Sequence, residues 1–363
     1  MSDKIDEMKV SVYKVPTDQP ESDGTLEWNS TTIIIVEISA DDKTGIGYTY
    51  SHESAANLIN NKLSEVIKNS DAMNISLGWN NMIKSVRNIG MSGIASSAIA
   101  AVDIALWDLK ARILEIPLVA LMGQVHKSTP IYGSGGFTSY SIKKLQAQLS
   151  GWVEKNITKV KMKIGRQPSE DIKRVNAASE TIGEGIELMV DANGAYNRKQ
   201  ALYFAQQFAN FNIGWFEEPV SSDDLEGLNL IRDNGPAGMQ ITAGEYGYNL
   251  FYFRRMLEAG SVDVLQADAT RCAGYTGFLK AADLCEARSI QLSSHTAPAI
   301  HMHPCCAAIP LKHSEYFHDH VRIERMFFDG IPEPVNGELY PDLSRPGNGF
   351  ELKRSDIKKY LVN

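Results

Sequence analysis

Apolar and polar positions recur along this chain with two different periods, and the change of period divides it. Met8–Val15 alternates as a strand does. Thr31–Ala40 carries the run Thr32-Ile33-Ile34-Ile35-Val36, β-branched as buried strands are. Asp41-Asp42-Lys43-Thr44-Gly45 reads as a turn, and Ile46–Tyr50 as the returning strand of a hairpin. Between the first two strands, Pro16–Trp28 is polar, contains two prolines and a glycine, and is expected to be a mobile loop. Helical spacing follows over Ser54–Ser70, over Asn74–Ile89 with Gly78 interrupting, and over Ile94–Leu114, where Ala98, Ala101 and Ala105 are small. The charged positions of the last helix, Asp103, Asp108, Lys110 and Arg112, are expected to make surface or cap contacts. A hairpin followed by helices is an α+β unit.

From Ser128 the text becomes an alternation of strands and helices. Pro130–Gly133, Ile157–Ile164, Ile186–Val190, Ile213–Phe216, Met239–Ala243, Val262–Gln266 and Ile290–Leu292 read as strands. Helices are expected between them, at Ser141–Lys155, Ser169–Thr181, Arg198–Phe211, Leu225–Asn234, Leu250–Ala259 and Thr276–Ala287. Such alternation predicts a parallel sheet covered by helices, and seven strands in one block favour a closed barrel. After His303 the pattern loses definition. Gly330–Gly349 reads as a tail wrapping back, and Ser355–Leu361 as a last short helix. The expected domains are an α+β cap over residues 1–127, completed by the tail 331–363, and a barrel over 128–330.

Composition narrows the class. A chain of 363 residues with 43% hydrophobic and 22% charged residues can bury a sizeable core. It has no membrane-length apolar run, and it starts on the polar MSDKIDEMKV, so a cytoplasmic, homo-oligomeric protein is expected. The net charge of −8 argues against nucleic acid or an anionic membrane as partner, though not against a small anion held at a local positive centre. Cys272, Cys285, Cys305 and Cys306 form no CxxC pair and are expected to be buried thiols. Gly133-Ser134-Gly135-Gly136 lacks the Gly-Lys-Ser/Thr ending of a phosphate loop.

Polar residues close successive apolar runs at a nearly even beat: Lys163, Asp191, Glu217, Glu245, Asp268 and His295, in steps of 28, 26, 28, 23 and 27 residues. Each step is one strand–helix unit, and a site assembled from strand ends is what an eightfold barrel offers. A single acid at a strand end is most simply a helix N-cap. Asp191, Glu217 and Glu245 in register are another matter, because three ionised carboxylates cannot crowd together without a cation. An all-oxygen set suits a hard ion, Mg²⁺ above Zn²⁺. Lys161 and Lys163, two apart on one strand, point to one face. Beside a cation, one of them would lose its proton easily enough to act as a base. Lys159 leaves a plain charged edge as the rival reading. Asp268 one unit before His295 would fix the imidazole's tautomer for acid–base work. His301 and His303 read as packing contacts. Glu324, 29 residues after His295, falls where an eighth strand should end and could meet a substrate oxygen; a Glu324–Arg325 surface pair is the alternative.

These pieces resemble the enolase superfamily, mandelate racemase-like subgroup. The matching text is Val160-Lys161-Met162-Lys163-Ile164-Gly165, Val190-Asp191-Ala192-Asn193, Trp215-Phe216-Glu217-Glu218-Pro219, Ala243-Gly244-Glu245, Ala267-Asp268 and Ser293-Ser294-His295, with Asp103–Leu109 in the cap. The resemblance covers about Met8 to Tyr360. It implies a modified TIM barrel, (β/α)7β, under an N-terminal cap, with Mg²⁺ on Asp191, Glu217 and Glu245. It implies Lys163 and the His295–Asp268 dyad as acid–base groups on opposite faces of the substrate's α-carbon, Lys161 on the substrate carboxylate, and Glu324 facing the enolate. The reaction implied is abstraction of the proton α to a carboxylate through an enediolate. Dehydration of an acid sugar to a 2-keto-3-deoxy acid is the expected outcome, since the cap and adjoining loops are rich in small polar groups such as Ser51, His52, Ser134 and Thr138. Racemisation or epimerisation of a 2-hydroxy acid between Lys163 and His295 is the alternative, and a non-catalytic carboxylate-binding protein the second. The cycloisomerase and dipeptide-epimerase branch usually has a second lysine where Asp268 and His295 stand, which makes that branch less expected.

Overall fold

The computed structural model describes residues 3–362. An antiparallel sheet opens the chain, with β1 (Glu7–Ser22), β2 (Glu27–Ala40) and β3 (Lys43–Tyr50) in that order. The isoleucine run of β2 is buried on both faces: Ile33 and Ile35 join the core shared with the barrel, while Ile34, Val36 and Ile38 join the helical core of the cap. A continuous rather than alternating apolar run is what such a sandwiched strand requires. Helix Ile94–Ile113 lies directly on β3. Gly45 and Gly47 make this possible, since a Cβ there would sit 2.2 Å from the carbonyl oxygens of Ala105 and Ala101.

Two expectations for the cap are corrected. Pro16–Trp28 is not a separate loop but the far end of the β1–β2 hairpin, with a register shift between Pro16 and Glu21. Its prolines are tolerated because β1 is an edge strand, where a missing N–H breaks no ladder. Asp23 Oδ1 holds the turn, accepting from the backbone N–H of Thr25 (2.6 Å) and Leu26 (2.7 Å). Asp103 and Asp108 are structural, as expected, but buried rather than superficial. Asp103 accepts from Thr276 N (2.9 Å) and Oγ1 (2.7 Å), tying the cap helix to the barrel helix Gly274–Ala287. Asp108 accepts from Ile46 N and Asn348 N, tying it to β3 and the tail.

The barrel has eight parallel strands: β4 (Thr129–Gly135), β5 (Lys159–Lys163), β6 (Glu187–Asp191), β7 (Trp215–Glu217), β8 (Gln240–Ala243), β9 (Val264–Ala267), β10 (Gln291–Ser294) and β11 (Leu311–Phe317), closed by pairing of β11 with β4. The first seven lie where the alternation placed them. The eighth does not. Helix Pro298–Ala307 starts almost at once after β10 and runs nearly straight into β11, so the last unit is short and Glu324 falls on the next helix, His318–Phe327. In the tail, Glu338–Leu339 pairs with the barrel strand β4, and Val362 N donates to Val12 O of the cap. Among the described residues, no helix is long and apolar enough to cross a membrane.

The hairpin tip sits on the C-terminal ends of β5 and β6. A Cβ on Gly24 would lie 2.3 Å from Ala192 O and 2.8 Å from Ile164 O. Gly24→Ala should therefore lift the tip and cost about 1–3 kcal/mol, seen as a lower denaturation midpoint; an unchanged midpoint would contradict this close packing.

Candidate active site

Asp191 and Glu217 are the last residues of β6 and β7 and pair in register, while Glu245 lies two residues past β8. All three are buried, and each offers an oxygen within 4.8 Å of the others. Adjacent strands are about 4.8 Å apart, so the barrel itself sets this spacing. Burial pushes the Glu217 carboxyl well above its usual range, and neighbouring Asp191 adds to the push. Burial also works to raise Asp191, but the ammonium groups of Lys163 and Lys161 outweigh it and hold that acid at about 2. Glu245 is lowered against its burial by His295 and Arg271. Glu245 Oε2 is buried without a hydrogen bond, as is an oxygen of the neighbouring Asn193 side chain. Three crowded carboxylates with an unpartnered oxygen fit a hard divalent cation.

The lysines extend from β5 into the same cluster. Lys161 Nζ contacts Glu217 (2.6 Å) and Glu315 (2.9 Å), with Asp191 at 3.3 Å; Lys163 pairs with Asp191. Lys159, at the opposite end of the strand, pairs with Glu187 and takes no part. The expected fall in lysine pKa does not occur in this arrangement. Burial lowers Lys163, but Asp191 attracts its charge more strongly and the net shift is upward.

Across the mouth, His295 Nδ1 is 2.9 Å from Asp268 Oδ2. The other Asp268 oxygen accepts from Thr270 N and Oγ1, both at 2.7 Å. Burial opposes ionisation of Asp268, but the His295 hydrogen bond prevails and keeps it well below its usual value. An ionised Asp268 accepts from Nδ1–H, so Nε2 faces the cluster, 3.3 Å from Glu245 Oε2 and 3.8 Å from Glu315 Oε2. β5 and β10 are separated by two strands one way round and four the other, so Lys163 and His295 approach from different sides. Both remain 5% exposed, whereas Lys161, Asp191 and Glu217 are sealed.

The two ends of the chain match two family models: residues 8–123 the mandelate racemase/muconate lactonizing enzyme N-terminal domain, and residues 144–356 the enolase C-terminal domain-like family. The chain is a member of the mandelate racemase/muconate lactonizing enzyme family of the enolase superfamily. It is 33% identical to a 3,6-anhydro-alpha-L-galactonate cycloisomerase of Streptomyces coelicolor, over 99% of both chains. It is 31% identical to the L-talarate/galactarate dehydratase of Salmonella typhimurium, over 96% of this chain and 89% of that one. A crystal structure of the latter holds Mg and L-lyxarohydroxamate, with TM-score 0.91 and 28% identity over 100% of this chain and 94% of that one. A mandelate racemase/muconate lactonizing enzyme-like protein from Rubrobacter xylanophilus aligns with TM-score 0.97 and 52% identity over 99% and 100%. A cycloisomerase and a dehydratase thus both stand among the relatives that match nearly the whole chain.

Within this family member, one expected site residue lies elsewhere. Glu324 is buried at the seam of cap and barrel, accepting from Tyr48 OH (2.6 Å) and Ala299 N (3.2 Å). The acid that β11 presents to the cluster is Glu315, which also accepts from Ser134 Oγ and Thr296 N. Its signal was present as the alternation of His313, Glu315 and Phe317, but the assumed beat looked nine residues too far along. Arg271 was also overlooked; its guanidinium contacts Glu245 at 3.1 Å and lies 3.6 Å from Asp268.

Two outcomes follow. Glu217→Gln should weaken Mg²⁺ binding about tenfold or more by calorimetry, a change of about 1.4 kcal/mol; an unchanged affinity would remove Glu217 from the cage. Burial holds the Glu324 carboxyl neutral up to about pH 8. Because this exceeds the unfolded value of about 4.3, its contribution to stability is complete below pH 4 and is lost as pH rises through 8. Denaturation at pH 6 and pH 9 should show that loss in the wild type and a smaller one in Glu324→Gln.

Proposed function

We propose that this protein removes the proton α to the carboxylate of an acid sugar and expels a β-hydroxyl, giving a 2-keto-3-deoxy acid. The observation that carries this reading is the placement of Lys163 and the His295–Asp268 dyad on different sides of a three-carboxylate cage. Asp191, Glu217 and Glu245 would hold Mg²⁺, whose charge would offset theirs and would stabilise negative charge developing on the substrate carboxylate. With those carboxylates engaged, burial and the neighbouring Lys161 charge would favour neutral Lys163, which can take the α-proton. Lys161, fixed between Glu217 and Glu315, presents a buried positive charge to the substrate carboxylate as its electron density rises. Glu315, beside Lys161 and His295, takes the place in the cluster expected of Glu324. His295, held through Nδ1 by Asp268, carries a proton on Nε2 in its imidazolium form, and as the acid it can pass that proton to the departing hydroxyl or, in the racemase outcome, to the α-carbon. The dehydratase relative with its bound acid-sugar analogue supports the first outcome.

A second reading has its own support: the Streptomyces coelicolor relative is a cycloisomerase of an anhydro acid sugar. Incubating the Mg²⁺-loaded protein with mono- and diacid sugars and a 3,6-anhydro acid sugar in deuterated solvent separates the outcomes. Dehydration releases a 2-keto acid. Ring opening consumes only the anhydro substrate. Racemisation or epimerisation inverts the α-carbon and incorporates deuterium without a keto product. No keto product, no consumption of the anhydro substrate and no exchange at Cα of any substrate, with or without Mg²⁺, would leave only carboxylate binding.

On the substrate so found, Lys163→Ala and His295→Asn should each lower kcat about 10²–10⁴-fold with the fold intact. Glu315→Gln should fall by a comparable factor while Glu324→Gln stays near wild type; the reverse ranking would restore the catalytic role to Glu324.

A further inference from the structure

A second group of potential ligands lies outside the barrel cluster. Asp18 and Glu21, on the far part of β1, meet His318, the residue that follows β11 at the mouth. Each offers one atom within 4.8 Å of the others. Glu21 is 0% exposed. Trp28 Nε1 donates to its Oε2 (2.9 Å) and fixes its orientation, while Oε1 is buried with no hydrogen-bond partner. His318 Nε2 is 3.1 Å from Asp18 Oδ2, and both side chains remain partly open to solvent.

Charge around this group is unbalanced. The guanidinium of Arg322 is nearby but committed, donating to Asp319 Oδ1 (2.6 and 3.1 Å) and to Pro16 O (2.7 Å). Burial therefore pushes the Glu21 carboxyl up to about 9, with Asp319 adding to the push. A buried carboxyl beside a second acid, with Arg322 engaged elsewhere, is costly to ionise as it stands. The costs reverse if a metal ion supplies the missing charge.

We propose that Asp18, Glu21 and His318 form a second divalent-cation site, distinct from the three-carboxylate cage, which pins the β1–β2 hairpin to the barrel mouth. Two oxygens and an imidazole nitrogen suit a borderline ion such as Zn²⁺ better than Mg²⁺. The Trp28 hydrogen bond to Glu21 Oε2 is the kind of outer contact that aims a ligating carboxylate. One ligand-bearing strand belongs to the cap and the third ligand to the barrel, so occupancy would couple the two directly. Gly24, three residues beyond Glu21, already rests on the ends of β5 and β6, so a pinned hairpin would hold closed the side of the mouth that contains Lys163 and Asp191.

The test uses the full chain with Mg²⁺ in large excess and Zn²⁺ as titrant, followed by calorimetry and by amide hydrogen exchange. Wild type should bind one more equivalent of Zn²⁺ than either His318→Ala or Glu21→Gln, or bind that equivalent about tenfold or more tightly. Exchange over residues 16–28 should slow on Zn²⁺ addition in wild type alone. His318 is partly exposed, so its variant remains informative even if Glu21→Gln perturbs the hairpin. Equal Zn²⁺ stoichiometry and affinity in wild type and His318→Ala would overturn the site. Zn²⁺ bound through His318 without slower exchange over 16–28 would overturn the pinning.

Discussion

Three carboxylates buried within a few ångströms of one another are the constraint around which this molecule is arranged. Desolvation and mutual repulsion both oppose their ionisation, and in the absence of nearby positive charge at least one would stay protonated. The protein surrounds them with Lys161, Lys163, Arg271 and His295, each on a different strand or strand end from the acid it meets. The balance is visible in its consequences: Asp191 is held low by the two lysines, Glu217 is driven high by burial and then by Asp191, and Lys163 is tied to Asp191. A site so balanced responds strongly to a change in its charge. That sensitivity is what a reaction developing negative charge on a carboxylate can use.

The scaffold makes this crowding reproducible. A closed parallel barrel places consecutive strand ends at a spacing close to that of metal ligands, and the helices outside bury its apolar face. The cap then seals the mouth by close backbone approach and by buried hydrogen bonds that cross the seam. Asp103 to Thr276 and Tyr48 to Glu324 join cap to barrel, and Asp108 to Asn348 ties the cap helix to the returning tail. Removing one partner from such a contact strands a buried polar group, which costs more than the bond contributes, so the seam resists single changes at these points.

Strand–helix alternation, the β-branched hairpin and the even spacing of polar strand ends were legible in the sequence because they are local or periodic. Period reveals which face is buried, and equal spacing reveals equal structural units. On that basis the sequence places Lys161, Lys163, Asp191, Glu217, Glu245, Asp268 and His295 at one end of the barrel, and they share one cluster. His301 and His303 were likewise recognisable as packing residues and are indeed buried, accepting from the N–H groups of Ala269 and Val119.

The tertiary structure decided what period cannot carry. The last barrel unit is shorter than the others, so Glu315 rather than Glu324 reaches the cluster, and counting at a constant step could not show this. Pro16–Trp28 looked like a free loop by composition, yet its order comes from contacts with Thr138, Ile164 and Ala192, over a hundred residues away. The direction of the Lys163 shift depended on whether burial or Asp191 dominated, a contest of distances. Sequence alone determined which residue types face a common centre, since strand geometry repeats. Only the folded chain determined which of their charges meet, because electrostatic balance depends on separations set by the whole barrel and its cap.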